Sequence, residues 1–267
     1  MTQDKAAERE FFDAVTDHYD HYFERDLLDQ TISIMVKRKL WFGSSTVMEA
    51  GCGTGLWGRS FIRDRRLTSF DNCITVTGVD LSERMVEVAN KGKPEGYNAV
   101  VGDLENPTTF AEGTFDVVLC PMVLHHFPDA SKVMFNLTKW LKPGGKIIII
   151  EPNGSNPVNA VSRWIRKLLE LVMPTGFLLK YQLATPNETA HSIATYQRML
   201  SVNQYAVLST DTYTPENDEI APWNDSLCLR LLFAAKLCAY ALVNKVLPRS
   251  RFSGTVCMIV GQRYYKF

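Results

Sequence analysis

Val47-Met48-Glu49-Ala50-Gly51-Cys52-Gly53-Thr54-Gly55 is the stretch on which the fold turns. Its first half reads as the end of a strand, Thr46 to Ala50. Its second half places glycine at alternate positions. Glycines directly after a strand let the backbone turn tightly and come close to a ligand at the N-terminus of the next helix. Downstream, Ile74–Asp80, Ala99–Val101, Phe115–Cys120 and Lys146–Ile150 read as further strands. Ser82–Lys91, ended by Gly92, and Ala130–Leu141, ended by Pro143-Gly144-Gly145, read as helices between them. Continuous β-branched runs alternating with helices predict an α/β fold whose parallel sheet is covered on both faces.

The flanks are less regular. Phe11, Phe12, Val15, Tyr19, Tyr22 and Phe23 recur at helical spacing, so the first 40 residues read as helix. After residue 151 the pattern predicts helices over Pro157–Val172 and Asn187–Leu200, the second capped by Thr185 or Asn187. A strand over Tyr205–Tyr213, an apolar helix over 227–247 and a closing strand over Gly254–Gly261 follow. No repeat and no linker suited to a second domain interrupts the chain, so the segments after 151 read as insertions that cap the sheet.

Composition narrows the function. The chain has 267 residues, with 29 Lys plus Arg against 29 Asp plus Glu, so its formal net charge is zero. A neutral chain is poorly suited to gripping a nucleic-acid backbone. The 46% hydrophobic and 22% charged fractions are those of a globular protein. Cysteines at 52, 73, 120, 228, 238 and 257 form no CxxC pair, and several lie in apolar runs, so they are expected to be reduced thiols in a cytoplasmic protein. The N-terminus lacks the apolar core of a secretory signal. Leu227–Val243 is interrupted by Arg230 and Lys236, which favours a buried or capping helix over a spanning one and leaves membrane-surface contact as the lesser alternative.

Glycine loops hold more than one ligand. Shifted in register, Gly53-Thr54-Gly55-Leu56-Trp57-Gly58 fits the dinucleotide fingerprint, which keeps an NAD-dependent oxidoreductase as an alternative. Two acids, Glu49 and Asp103, weigh against it, while a third, Asp80, fits adenosine in either cofactor. Asp80 ends the second strand, where a carboxylate can accept both ribose hydroxyls. Glu49, just before the loop, can hold a cationic group or orient the loop, and is unfavourable beside a pyrophosphate. Asp103, after the third strand, can accept from the amino group of a base. Together they outline a pocket for an aminoacyl nucleoside without phosphates.

Five ordered blocks carry a resemblance: Glu49-Ala50-Gly51-Cys52-Gly53-Thr54-Gly55, Gly78-Val79-Asp80-Leu81-Ser82, Gly102-Asp103-Leu104-Glu105, Phe115-Asp116-Val117-Val118 and Leu141-Lys142-Pro143-Gly144-Gly145. Over about residues 46–151 the chain resembles the class I S-adenosylmethionine-dependent methyltransferases. The resemblance implies a Rossmann-like three-layer sandwich, with a mostly parallel seven-stranded sheet, an antiparallel last strand and helical cap insertions. It implies S-adenosylmethionine as cofactor, its methionine part held by Glu49, Gly51, Gly53 and Gly55. It further implies ribose on Asp80 and Leu81, adenine beside Asp103, Leu104 and Met85, and Cys120 and Met122 on the segment passing the methionine end. Asp17–Phe23 resembles a helix that folds over the cofactor, with Tyr19 or Tyr22 reaching its carboxylate or packing as core. Residues 1–40 are then a cover for the site, and 41–267 the methyltransferase domain, with caps at about 152–186 and 216–250.

His125 and His126 follow the fourth strand, and either can act as a general base or simply line the cofactor pocket. His18 and His21 lack an apparent third ligand, so no metal is expected. Glu151 is expected at the pocket mouth, contacting substrate or capping the next helix. Trp164, Phe177, Tyr181, Tyr196, Trp223, Phe233 and Tyr240 suggest an aromatic lid over a hydrophobic small molecule: a natural product, lipid or quinone-like metabolite methylated on oxygen, nitrogen or carbon. A non-catalytic relative that only binds the cofactor is the remaining alternative.

Overall fold

The computed structural model describes residues 3–22, 25–40, 45–64, 66–67, 74–172, 187, 189–214, 227–248 and 250–265. Its strands are β1 (Thr46–Ala50), β2 (Thr75–Asp80), β3 (Tyr97–Val101), β4 (Phe115–Pro121), β5 (Leu141–Pro152), β6 (Tyr205–Tyr213) and β7 (Val256–Arg263). They form one sheet in the order β3-β2-β1-β4-β5-β7-β6. β1 pairs in parallel with β2 and β4, β2 with β3, and β4 with β5. β7 runs antiparallel to both of its neighbours, β5 and β6. This is the expected mostly parallel sheet with an antiparallel last strand.

The described helices are α1 (Lys5–Val15), α2 (Tyr19–Tyr22), α3 (Arg25–Lys37), α4 (Leu56–Arg63), α5 (Glu83–Asn90), α6 (Ser131–Trp140), α7 (Pro157–Val172), α8 (Ile193–Val202) and α9 (Leu227–Val246). Successive side chains of the inner strands enter opposite faces of the sheet. Ile148 and Ile150 join one core with Trp57 and Phe61 of α4 and Val86 of α5. Ile147 and Ile149 join the other with Leu137 and Trp140 of α6 and Tyr196 and Leu200 of α8. Both faces being buried explains why Ile147–Ile150 is a continuous apolar run rather than an alternating one.

The structure corrects three expectations. β5 begins at Leu141, so the Pro143-Gly144-Gly145 stop is strand; Leu141 pairs with Phe115, then a register shift absorbs the glycines before Lys146 pairs with Val117. α8 begins at Ile193, because the Ser192 hydroxyl accepts from the Thr195 N–H; Asn187 does not cap it, and Thr185 lies outside the described residues. The aromatic lid is not assembled as expected. Tyr196 is fully buried in the core under the sheet. Trp164 points outward, 63% exposed, with Val161, Ile165 and Leu168 also exposed. Tyr240 donates to Asn159 of α7. Phe177, Tyr181, Trp223 and the Phe233 side chain lie outside the described residues. Among those residues no helix is long and apolar enough to cross a membrane.

Candidate active site

One pocket forms where β1 to β4 end and their loops diverge. It encloses about 660 Å³, open solvent at its mouth included. Its floor is the glycine loop. Gly51 and Gly53 have φ of 62° and 51°, which only glycine adopts freely. A Cβ on Gly51 would strike the Val123 side chain, and one on Gly53 would come 3.3 Å from the Tyr19 ring. The loop is thus held between β4's continuation and the N-terminal segment.

Asp80 fixes the loop to the next helix. Its Oδ2 accepts from the Gly53 N–H at 2.8 Å and its Oδ1 from the Ser82 N–H at 2.9 Å. Burial raises its pKa, opposed by those N–H groups. Ser82 caps α5 through the Met85 N–H at 3.0 Å. Leu81, Met85 and Leu104 supply apolar wall, and Asp103 lies at the same end. Tyr19 lines the pocket, and burial, followed by Asp80, pushes its hydroxyl pKa well up, so it stays protonated. Met122 lines the pocket beside Val123 with its backbone in the left-handed region, φ 53°.

α1 is the roof. Glu8, Arg9 and Phe12 line the pocket from above, with Gln3. Polar contacts clasp the segment along its length. Lys5 Nζ lies 2.7 Å from both Asp103 Oδ2 and Glu105 Oε2. Asp13 accepts from the Ser82 hydroxyl, Asp17 pairs with Arg84, and Asp20 accepts from the Thr54 hydroxyl. Asn187 bonds the Asp4 backbone in both directions.

The histidines part company. His126 lines the pocket, its Nδ1 2.9 Å from Glu8 Oε1. Burial lowers its pKa, reinforced by His125 and opposed by Glu8, so at neutral pH the imidazole is neutral and able to take a proton. His125 does not line it. Its Nδ1 lies 2.7 Å from Glu151 Oε2, and Glu151 Oε1 accepts from the Val123 and Leu124 N–H groups at 2.8 and 2.6 Å. Glu151 is therefore a fully buried anchor of the β4 loop, not a group at the pocket mouth.

Three other expected residues stand behind the lining. Glu49 is fully buried: Oε1 accepts from the Gly58 N–H at 3.1 Å and Oε2 from the Tyr97 hydroxyl at 3.1 Å. It orients the loop from below. Gly55 begins α4 with φ 79°, its α-carbon against the Tyr97 hydroxyl. Cys120 is fully buried in the sheet core, where burial raises its thiol pKa. The side chains of Tyr22, His18 and His21 lie outside the described residues. Sequence reasoning missed Gln3, Glu8, Arg9 and Phe12. One signal was available for Glu8: it sits four residues before Phe12 and seven before Val15, an acid on the apolar stripe of α1.

The glycine loop, the acids at the strand ends and the seven-stranded order together define the class I S-adenosylmethionine-dependent methyltransferase fold. Residues 48–149 match the family described as Methyltransferase domain. The chain is similar to the ubiquinone biosynthesis O-methyltransferase of Coxiella burnetii, 29% identical over 115 residues, 42% of this chain and 45% of that protein. The enzyme of the same name from Xanthomonas oryzae is 28% identical over 144 residues, 53% of this chain and 57% of that one. The chain thus spans about half the length of the curated relatives it matches. A solved chain from the complex between the Haloferax volcanii Trm112 methyltransferase activator and the putative methyltransferase superposes with TM-score 0.67 at 18% identity, over 97% of this chain and 99% of that one. That last likeness is one of fold.

Proposed function

We propose that this chain transfers a methyl group from S-adenosylmethionine to a hydroxyl on a hydrophobic aromatic small molecule of quinone-like character. The observation that carries the reading is the pocket itself: a glycine floor, Asp80 and Asp103 at successive strand ends, and a roof that brings His126 and Glu8 together. The residues suit the cofactor. The bare Gly51 and Gly53 backbone leaves room for the methionine part. The Asp80 carboxylate accepts backbone N–H groups on both oxygens and keeps lone-pair capacity for a ribose hydroxyl. Met85 and Leu104 suit the adenine faces.

When bound, S-adenosylmethionine supplies a methyl carbon on a positively charged sulfur, open to in-line displacement. This chain's residues align the acceptor, exclude water and remove a proton. His126, neutral at physiological pH and inside the pocket, is the group suited to take the hydroxyl proton. The names of the curated relatives support oxygen as acceptor and a quinone-like ring as substrate class. Against the oxidoreductase stands an acid: Asp20, bonded to Thr54 at the start of α4, puts a carboxylate where a pyrophosphate would lie.

Calorimetric titration with S-adenosylhomocysteine, with NADH in parallel, tests the cofactor. Binding of the first alone is expected; binding of NADH alone would overturn the reading. Methyl transfer to 4-tert-butylcatechol tests the acceptor class. Cofactor binding without turnover on any phenol, catechol or amine offered would favour a non-catalytic relative.

A further inference from the structure

The pocket's base is completed from the roof. Glu8 belongs to α1, yet its carboxylate is only 5% exposed. Oε2 accepts from the Asn187 side-chain amide. Oε1 has no aligned hydrogen bond among the described residues, and the group beside it is the His126 Nδ1, 2.9 Å away. A buried carboxylate oxygen left without a donor is unfavourable, so that nitrogen is under pressure to carry its proton. Phe12, one turn along α1, packs edge-on against the His126 ring, with centroids 5.2 Å apart. The Gln3 side-chain amide donates to the His126 carbonyl at 3.2 Å. Three residues of the N-terminal segment therefore grip this one histidine.

We propose that Glu8 is the positioning residue of His126. It holds the imidazole in the tautomer protonated on Nδ1, leaving the basic lone pair on Nε2, so the general base is assembled only when α1 closes. His125, whose Nδ1 is bound by Glu151 of β5, is oriented from the sheet. The two adjacent rings, 4.0 Å apart, are thus each paired with a carboxylate from a different element. This inference rests on the methyltransferase reading for its consequence in turnover, but the tautomer does not depend on it.

The test uses the full chain with ¹⁵N-labelled histidine, the resonances of residue 126 being identified by their loss in H126Q. Long-range proton–nitrogen spectra of the wild type are expected to show the Nδ1-protonated form at residue 126. E8A is expected to shift it toward the Nε2-protonated form, while E8D restores it at least in part. E8Q keeps an acceptor without the charge, so it is expected to keep the tautomer and to titrate at lower pH. Groups facing this ring from other elements are Glu8 of α1, Asp80 of β2 and Glu151 of β5, with His125 beside it; only the first changes. With 4-tert-butylcatechol, kcat in E8A is expected to fall on the order of tenfold or more, with S-adenosylhomocysteine affinity changed less than about threefold. An unchanged tautomer in E8A would overturn the proposal. So would equal loss of turnover and affinity in E8A, E8D and E8Q, which marks a merely structural latch. If the wild type binds no S-adenosylhomocysteine, the functional reading fails while the spectra still decide the pairing.

Discussion

Glu49 sits in a fully buried position with a pKa pushed up to about 8, first by burial, against the Gly58 N–H and Tyr97 hydroxyl that favour its charge. The folded state therefore holds a proton that the unfolded chain releases near pH 4.5. Stability from this group is present below about pH 4.5 and is lost as pH rises toward 8, at about 1.4 kcal/mol for each unit of difference. E49Q keeps the acceptor for the Gly58 N–H, offers its amide N–H to the Tyr97 oxygen and does not titrate, so its melting temperature is expected to vary less than the wild type's between pH 5 and 8. E49A leaves Gly58 and Tyr97 without their partner and should cost about 1–3 kcal/mol at pH 5. Thermal denaturation across that range checks both. Asp80→Ala is expected to weaken S-adenosylhomocysteine binding by about 1–3 kcal/mol; an unchanged calorimetric affinity would place the ribose elsewhere. The glycines and Asp80 were legible because their chemistry is local: a strand, a turn and an acid within a few residues. Which of Glu49's two expected roles it takes was not, since the way a strand-end acid points depends on Tyr97, 48 residues away.

Elements were read well where one physical signal dominated. β1 and β6 have the expected limits, as does α7, because apolar periodicity changes sharply at their ends. β5 ran longer than expected because a register shift opposite Phe115 lets extended backbone pass through two glycines, which no local propensity reveals. α8 started late because Ser192 won the cap from Asn187, which the N-terminal segment engages from 183 residues away. α1 is a separable element in energetic terms. Its clasp consists largely of partly exposed pairs such as Lys5 with Asp103 and Arg84 with Asp17, each worth about 0–1 kcal/mol and weakened by salt. K5A combined with R84A is therefore expected to leave the melting temperature within about 2 °C of the wild type while raising the S-adenosylhomocysteine dissociation rate several-fold. Stopped-flow measurement at low and high salt checks this, and added salt should narrow the difference.

The whole molecule joins these parts through its order of strands. β7 lies between β5 and β6, although β6 precedes it in the chain. Apart from β7, β6 is tied to the body by contacts such as Tyr213 with Thr31 of α3 and Asp211 with Arg38 just after that helix. A chain stopped after Gly254 is expected to lose cooperative unfolding by calorimetry and to expose the paired edges of β5 and β6 together. A cooperative transition in that truncated chain would show the sheet to be complete without its inserted strand. During translation the consequence is one of timing. The pocket's strands, β1 to β4, are made first and can pair among themselves, but β5 presents an open edge and β6 has no neighbour until some fifty residues later. Between the making of β6 and of β7 the newborn protein therefore has two strand edges waiting for the same segment, and a chaperone that shields such edges would have its greatest effect in that interval.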